Sequence, residues 1–134
     1  MKSMYSAVLV LLAAVALPIA SGDLARAAQS LVKTFDSDND GTLDLSEAGK
    51  AANAVFDRLE KDKDNTLDQK ELGARISKTE FAAAGPDDDG TLTRDEYLGL
   101  VERLFKQADR DSEGTVDSKE LNSKSGKALV KLLR

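Results

Sequence analysis

Residues 36–47 read DSDNDGTLDLSE. Acids stand at the first, third, fifth, ninth and twelfth positions (Asp36, Asp38, Asp40, Asp44 and Glu47), and Gly41 is sixth. Two unit charges about 4 Å apart cost roughly 1 kcal/mol in bulk water and about 4 kcal/mol at a near-surface dielectric. A chain that crowds five carboxylates in this way needs something to hold them together.

Three more stretches follow the same grammar: EKDKDNTLDQKE at 60–71, GPDDDGTLTRDE at 85–96 and DRDSEGTVDSKE at 109–120. Each has acids at positions 3 and 5, Thr at 7, an aliphatic residue at 8 and Glu at 12. Their starts at 36, 60, 85 and 109 give a repeat of 24 to 25 residues, a period that marks a repeat architecture. One such stretch alone reads as a solvated acidic surface. Four in register do not.

The pattern D-x-[DN]-x-[DN]-G-x5-E is that of the EF-hand calcium loop. A hard cation takes six to eight oxygens at about 2.3–2.6 Å. Positions 1, 3 and 5 turn carboxylates inward, and position 6 turns sharply at positive φ, where glycine is favoured. Position 7 offers its backbone carbonyl, position 9 binds directly or through water, and the glutamate at 12 reaches back with both oxygens. Loop one meets every clause with Asp36, Asp38, Asp40, Gly41, Thr42, Asp44 and Glu47. Loop two offers Glu60, Asp62, Asp64, Thr66, Asp68 and Glu71, with Asn65 in place of glycine; Asn tolerates the left-handed region better than most residues. Loop three offers Asp87, Asp89, Thr91 and Glu96, but Gly85 leaves its first position bare and Thr93 its ninth uncharged, so weakest binding is expected there. Loop four offers Asp109, Asp111, Glu113, Thr115, Asp117 and Glu120. The aliphatic residues at position 8 (Leu43, Leu67, Leu92 and Val116) are expected to form short strand contacts between paired loops.

Between loops the apolar residues recur every three or four positions, which places them on one face of a helix. Leu24, Ala27, Ala28, Leu31, Val32 and Phe35 precede loop one; Ala48, Ala51, Ala52, Val55, Phe56 and Leu59 follow it; Tyr97, Leu98, Val101, Leu104, Phe105 and Ala108 precede loop four. Leu121, Ala128, Leu129, Leu132 and Leu133 follow loop four, interrupted near 123–126. Between loops two and three, Ser77-Lys78-Thr79-Glu80 has the form of a capping box, which predicts two short helical pieces instead of one.

The first 22 residues, MKSMYSAVLVLLAAVALPIASG, carry a basic start (Lys2), an apolar run from Ala7 to Ala20 and small residues before Asp23. This is the form of a secretory signal peptide, too short to span a bilayer comfortably. Cleavage is expected after Gly22, with Ala27 as the alternative. Lys2 is the one charged side chain lost, so residues 23–134 keep 18 basic and 24 acidic groups against 19 and 24 in the whole chain, a net charge of −6. This balance, with no long basic run, argues against nucleic acid as a partner. Cysteine and histidine are absent. That removes the usual zinc sites, disulfides and Cys/His catalysis, and argues against an enzyme.

Only twelve or thirteen residues separate successive loops, so one segment must leave one loop and enter the next. With this spacing, the leader, segments such as FDSDNDGTLDLSEA and KDKDNTLDQKEL, and the ending GKALVKLLR, the chain resembles the lanmodulin family, periplasmic lanthanide-binding proteins of methylotrophic bacteria. The resemblance implies an all-α, compact EF-hand fold with a small three-helix core, four peripheral 12-residue loops and selectivity for lanthanide(III) ions over calcium. Loops of that family carry Pro at position 2; here Ser37, Lys61, Pro86 and Arg110 stand there. Acids at position 9 (Asp44, Asp68 and Asp117) are kept in three loops.

The expected protein is thus one 23–134 domain, exported to the periplasm and free of the membrane after cleavage, that binds lanthanide ions. Calcium is the alternative ion, in a buffer or sensor. A metal-stabilised module docking a periplasmic protein is a further alternative.

Overall fold

The computed structural model describes residues 21–85 and 89–134. The expected leader falls outside the described residues apart from Ser21 and Gly22, which open the first helix, and Asp87 of loop three also falls outside them. The chain runs α1 (Ser21–Phe35), β1 (Leu43–Asp44), α2 (Leu45–Leu59), β2 (Thr66–Asp68), α3 (Gln69–Leu72), a 3-10 turn (Gly73–Arg75), α4 (Lys78–Ala84), β3 (Thr91–Thr93), α5 (Arg94–Ala108), β4 (Thr115–Val116), α6 (Ser118–Leu121) and α7 (Lys124–Leu132). It is an all-α architecture in which the strands are only two or three residues long.

The residue following each loop's eighth position decides where the next helix begins. Asp44, Asp68, Thr93 and Asp117 are N-caps: each side chain accepts from the N–H of the glutamate three residues on, and that glutamate accepts from the cap's own N–H. Such reciprocal capping satisfies two donors that a helix start leaves orphaned. Ser77 and Glu80 make the same box at the start of α4, so the segment between loops two and three is broken into two short helices as its sequence predicts.

Burial follows the apolar periodicity. Ala48, Ala52, Val55, Phe56 and Leu59 of α2 are buried, as are Tyr97, Leu100, Val101, Leu104, Phe105 and Ala108 of α5 and Leu129, Val130 and Leu132 of α7. Helix α5 packs on both α2 and α7, which makes these three the centre, while α1 lies against α6. Antiparallel ladders tie the loops in pairs: Leu43 faces Val116, and Leu67 faces Leu92. All four position-8 side chains are completely buried.

Three contacts lock the centre. The Tyr97 hydroxyl donates to the Leu132 carbonyl at 2.6 Å, joining α5 to α7 inside the core. The Phe56 and Tyr97 rings meet at 5.9 Å. The Arg94 guanidinium lies 4.4 Å over the Phe56 ring, donates to Asn53 Oδ1 at 2.9 Å and pairs with Asp57, pinning the start of α5 to α2. Gly126 allows the closest backbone approach: a Cβ there would sit 2.2 Å from the Glu120 carbonyl oxygen, so a larger residue would push α7 off the end of loop four.

Burial pushes the Tyr97 phenol up from 10.0 to about 12. A raised folded pKa gives stability that is complete below the unfolded value and is lost as pH climbs through the folded one. The chain should therefore lose stability between about pH 10 and 12, and Tyr97→Phe should remove that loss while costing about 1–3 kcal/mol at neutral pH, because the Leu132 carbonyl is left without its partner. Denaturant unfolding of both proteins at neutral and alkaline pH checks this.

Candidate metal centres

Each loop is built on hydrogen bonds from its own backbone to its own carboxylates. At position 1, Asp36 accepts from the N–H of Asp40 at 3.2 Å and of Gly41 at 2.9 Å, and Asp109 from the N–H of Glu113 at 3.2 Å and of Gly114 at 3.0 Å. The longer Glu60 accepts from Asn65 at 3.2 Å. Position 3 repeats the theme: Asp38, Asp62 and Asp111 each accept from the N–H two residues on, at 3.3, 3.4 and 3.3 Å.

Position 7 explains its own recurrence. Thr42 donates both N–H and hydroxyl to Asp40 Oδ1, at 2.8 and 2.7 Å, and Thr66 and Thr91 do the same to Asp64 and Asp89. In loop four the longer Glu113 meets only the Thr115 hydroxyl among these donors, at 3.4 Å. Position 6 takes positive φ in all four loops, and Asn65 adopts 64° where the others have glycine. The sharp turn expected there is present with or without glycine.

These turns gather the acids. Carboxylate oxygens of Asp36, Asp38 and Asp40 lie within 4.8 Å of one another, as do those of Glu60, Asp62 and Asp64, and those of Asp109, Asp111 and Glu120. Loop three forms no such group among the described residues. Asp44, Asp68 and Asp117 are not in the groups; each spends a carboxylate oxygen on its helix cap. Among the described residues, loops one and four hold the buried charges: Asp36, Glu47 and Glu120 are all at least nine-tenths buried.

The crowding registers in the acidities. Loss of hydration, with the charges of Asp64 and Glu71, raises Asp62, and loss of hydration, with Asp109 and Glu120, raises Asp111. For Asp38 the Asp40 N–H lowers the pKa, but lost hydration and the neighbouring carboxylates outweigh it and raise the group. Asp36 is raised by lost hydration yet held below its ordinary value by the combined hydrogen bonds of Gly41, Asp38, Asn39 and Asp40. The Thr66 hydroxyl and N–H hold Asp64 down. The third position therefore bears the unrelieved repulsion in three loops, and the donor set is all hard oxygen. Such a site fits a multivalent hard cation and offers nothing soft to a transition metal.

Two features of the site were not foreseen from sequence. The threonine hydroxyls act on position 5, where only the backbone carbonyl had been assigned to position 7. The acid or threonine at 9 and the glutamate at 12 form a capping box in every loop. The D/T-x-x-E spacing was the available signal for the second.

Helix α2 leads from loop one to loop two and α5 from loop three to loop four, each 15 residues long. At 1.5 Å per residue the two loop pairs are about 22 Å apart, well beyond the ~8 Å screening length of physiological salt. Glu47→Gln should therefore weaken metal binding about tenfold or more at loop one, disturb loop four through β1–β4, and leave loops two and three nearly unchanged; Glu96→Gln should reduce total binding less. Calorimetry with loop-resolved NMR titration reads both changes.

A family model described as EF hand matches residues 100–123, which span the second half of α5, loop four and α6. No match is found among curated proteins. With three acidic groups in a helical fold, two from loop positions 1, 3 and 5 and one from positions 1, 3 and 12, the match supports an EF-hand protein whose loops are suited to calcium or a related metal ion.

Proposed function

We propose that this is an exported protein whose four loops bind trivalent lanthanide ions, and calcium more weakly, and which folds as it binds. The observation that carries the reading is the triple gathering of carboxylate oxygens within 4.8 Å in loops one, two and four. Groups of like charge at that distance repel, and a bound cation turns the repulsion into attraction. The residues that would hold the ion are Asp36, Asp38, Asp40, Thr42, Asp44 and Glu47 in loop one and their counterparts in the other loops. The ion would neutralise the carboxylates; the chain fixes their geometry through the caps and the threonine bonds.

Loops one, two and four each place five carboxylates at ligand positions. Attraction rises in proportion to the charge on the ion and to the number of carboxylates, so each added acid favours the trivalent ion. The resemblance of loop sequence and spacing to the lanmodulin family supports the same choice, and the leader supports export to the periplasm. The calcium reading rests on the EF hand match and uses the same donors.

Two outcomes are expected. Without metal the chain should lose most of its helix, because an acidic, aromatic-poor composition (4% aromatic) gives little to oppose the loop repulsion; adding lanthanum should restore it, as read by circular dichroism in chelator and in buffered metal. The helical midpoint should fall at far lower free lanthanum than free calcium. Replacing Asp44, Asp68 and Asp117 together by Asn keeps the helix caps, since Asn and Asp cap about equally, but removes three charges. The gap between the midpoints should then shrink, because a trivalent ion loses about one and a half times the attraction a divalent one loses per charge removed. Coincident midpoints in the unaltered chain return it to the calcium class.

A further inference from the structure

Helix α7 and the residues that follow it reverse the charge of the rest of the chain. The 24 acidic residues all precede Leu121, while 121–134 hold Lys124, Lys127, Lys131 and Arg134. Spacings of three and four put the three lysines on one side of the helix, and all four cations are exposed. Among the described residues the ion pairs are Arg94 with Asp57 and Lys106 with Glu102, so no salt bridge neutralises them.

The cations border two depressions. One is an apolar groove of about 260 Å³. Buried Ala28 of α1, Leu121 of α6 and Val130 of α7 line it, with half-buried Leu31. Lys127, Lys131 and Arg134 complete its lining. In the other, Arg75, Ser77, Glu80 and Lys124 join the same two lysines, which form the ridge between the two. Glu80 is the acid of that lining, and its Oε2 is engaged by the Ser77 N–H at 3.0 Å and hydroxyl at 2.8 Å. Helix α1 enters loop one and α6 leaves loop four, and these loops are paired through Leu43 and Val116. Two walls of the groove therefore come from helices that an ion in this loop pair would order.

We propose that this groove, in the metal-loaded chain, docks an acidic segment of a partner protein, whose apolar side chains fill the space between α1 and α7 while its carboxylates meet Lys127, Lys131 and Arg134. The proposal rests on the metal-binding reading above for its timing alone. Charge complementarity selects the acidic partner. The net charge of −6 on residues 23–134 opposes such a partner in the empty chain; three trivalent ions in loops one, two and four bring nine positive charges and turn it to +3. The groove is smaller than the roughly 300–1,000 Å³ of pockets that enclose whole small molecules, and it suits the side chains of a helix laid along it. Inorganic phosphate would use the cations and leave the apolar lining unfilled. A bilayer is gripped by apolar side chains that protrude, whereas here they are recessed; the exposed large apolar side chain among the described residues is Leu45, which is not part of the groove.

The test uses the full chain and a fluorescent synthetic peptide of glutamate with leucine at every third or fourth position, read by anisotropy with lanthanum just sufficient to fill the loops. The lanthanum-loaded chain should bind it about tenfold or more tightly than a peptide with lysine in place of glutamate, or one with serine in place of leucine. Lys127→Glu with Lys131→Glu should weaken binding about tenfold or more, while the lanthanum midpoint of the helical transition stays within about twofold. No binding by a helical, lanthanum-loaded chain overturns the proposal. Equal binding of the serine peptide reduces the surface to a bare patch of charge and overturns it. Binding untouched by the lysine reversals places the peptide on the loop ions and overturns it. Vesicles of phosphatidylglycerol bound where the peptide is not would assign the surface to lipid instead. Should the reversals unfold the chain, methyl NMR of the unaltered protein decides: peptide-induced shifts at Leu31, Leu121 and Val130 support the groove, and shifts confined to the metal loops overturn it. A chain whose helix ignores lanthanum removes the metal-binding reading, and the same peptide comparison on the metal-free chain still decides the groove.

Discussion

Two contacts between completely buried aliphatic side chains, Leu43 with Val116 and Leu67 with Leu92, organise the molecule. They join loop one to loop four and loop two to loop three. Once they form, α2 must run from the first pair to the second and α5 must run back, so the two helices lie side by side and share a core. Among the described residues, the position-8 residues are the part of each loop's central stretch that is wholly removed from water. They are the hinge between a polar, charge-crowded periphery and an apolar centre. A polar residue at any of them would leave its loop without a partner and its neighbouring helix without a fixed start.

The loops carry opposing demands. Metal-ligating carboxylates must be close and anionic, yet closeness opposes their ionisation. The chain answers with local donors. Backbone N–H groups serve positions 1 and 3, threonine hydroxyls serve position 5, and helix N-termini serve position 9. The raised pKa values at position 3 show where the donors fall short, since Asp38, Asp62 and Asp111 each have one backbone donor against several neighbouring charges. No buried polar side-chain atom among the described residues lacks a partner. What remains unbalanced is net charge, which hydrogen bonds redistribute but cannot cancel.

Much of this was legible in the sequence because the repeat is short and its grammar strict. The loop bounds, the break at Ser77 and the pairing role of position 8 follow from spacing alone, and the structure agrees with each; the helix faces agree in the main, but Ala27 of the expected α1 face is exposed while Leu100 and Val130, outside the expected faces, are buried. Which loop pairs with which did not follow, because any two position-8 residues are chemically compatible and only the packing of α2 on α5 selects among them. The hydrogen bonds that Glu47, Glu71 and Glu120 accept from the N–H of Ser37, Lys61 and Arg110 were hidden for a different reason: their donors are backbone groups, and the side chains above them differ. Long-range gathering was hidden as well. Arg75, Lys124, Lys127 and Lys131 line one surface depression and Arg134 borders the next, although they form no basic run in sequence. The Arg94 stack on Phe56 joins residues 38 positions apart and left no periodic trace.

The four loops are unequal, and the inequality follows from how each is attached. Loops one and four contain the three buried acids, and Gly126 presses α7 against the backbone of Glu120, so their geometry is held from the core side. Loops two and three are joined through the short α3, the 3-10 turn and the seven-residue α4, with Leu72, Ile76 and Ala84 as the buried anchors between them. That connection has three buried apolar residues against five in α2 and six in α5, and short helices gain little from propensity alone. Arg94 offsets part of this by tying the start of α5, at the end of loop three, to α2. An ion arriving at loop two would find glutamate and aspartate donors as numerous as in loop one, but on a mounting that more of its binding energy must first order. Donor count alone therefore overstates loop two, and the order of filling is set by the rigidity of the attachment as well as by the charge of the loop.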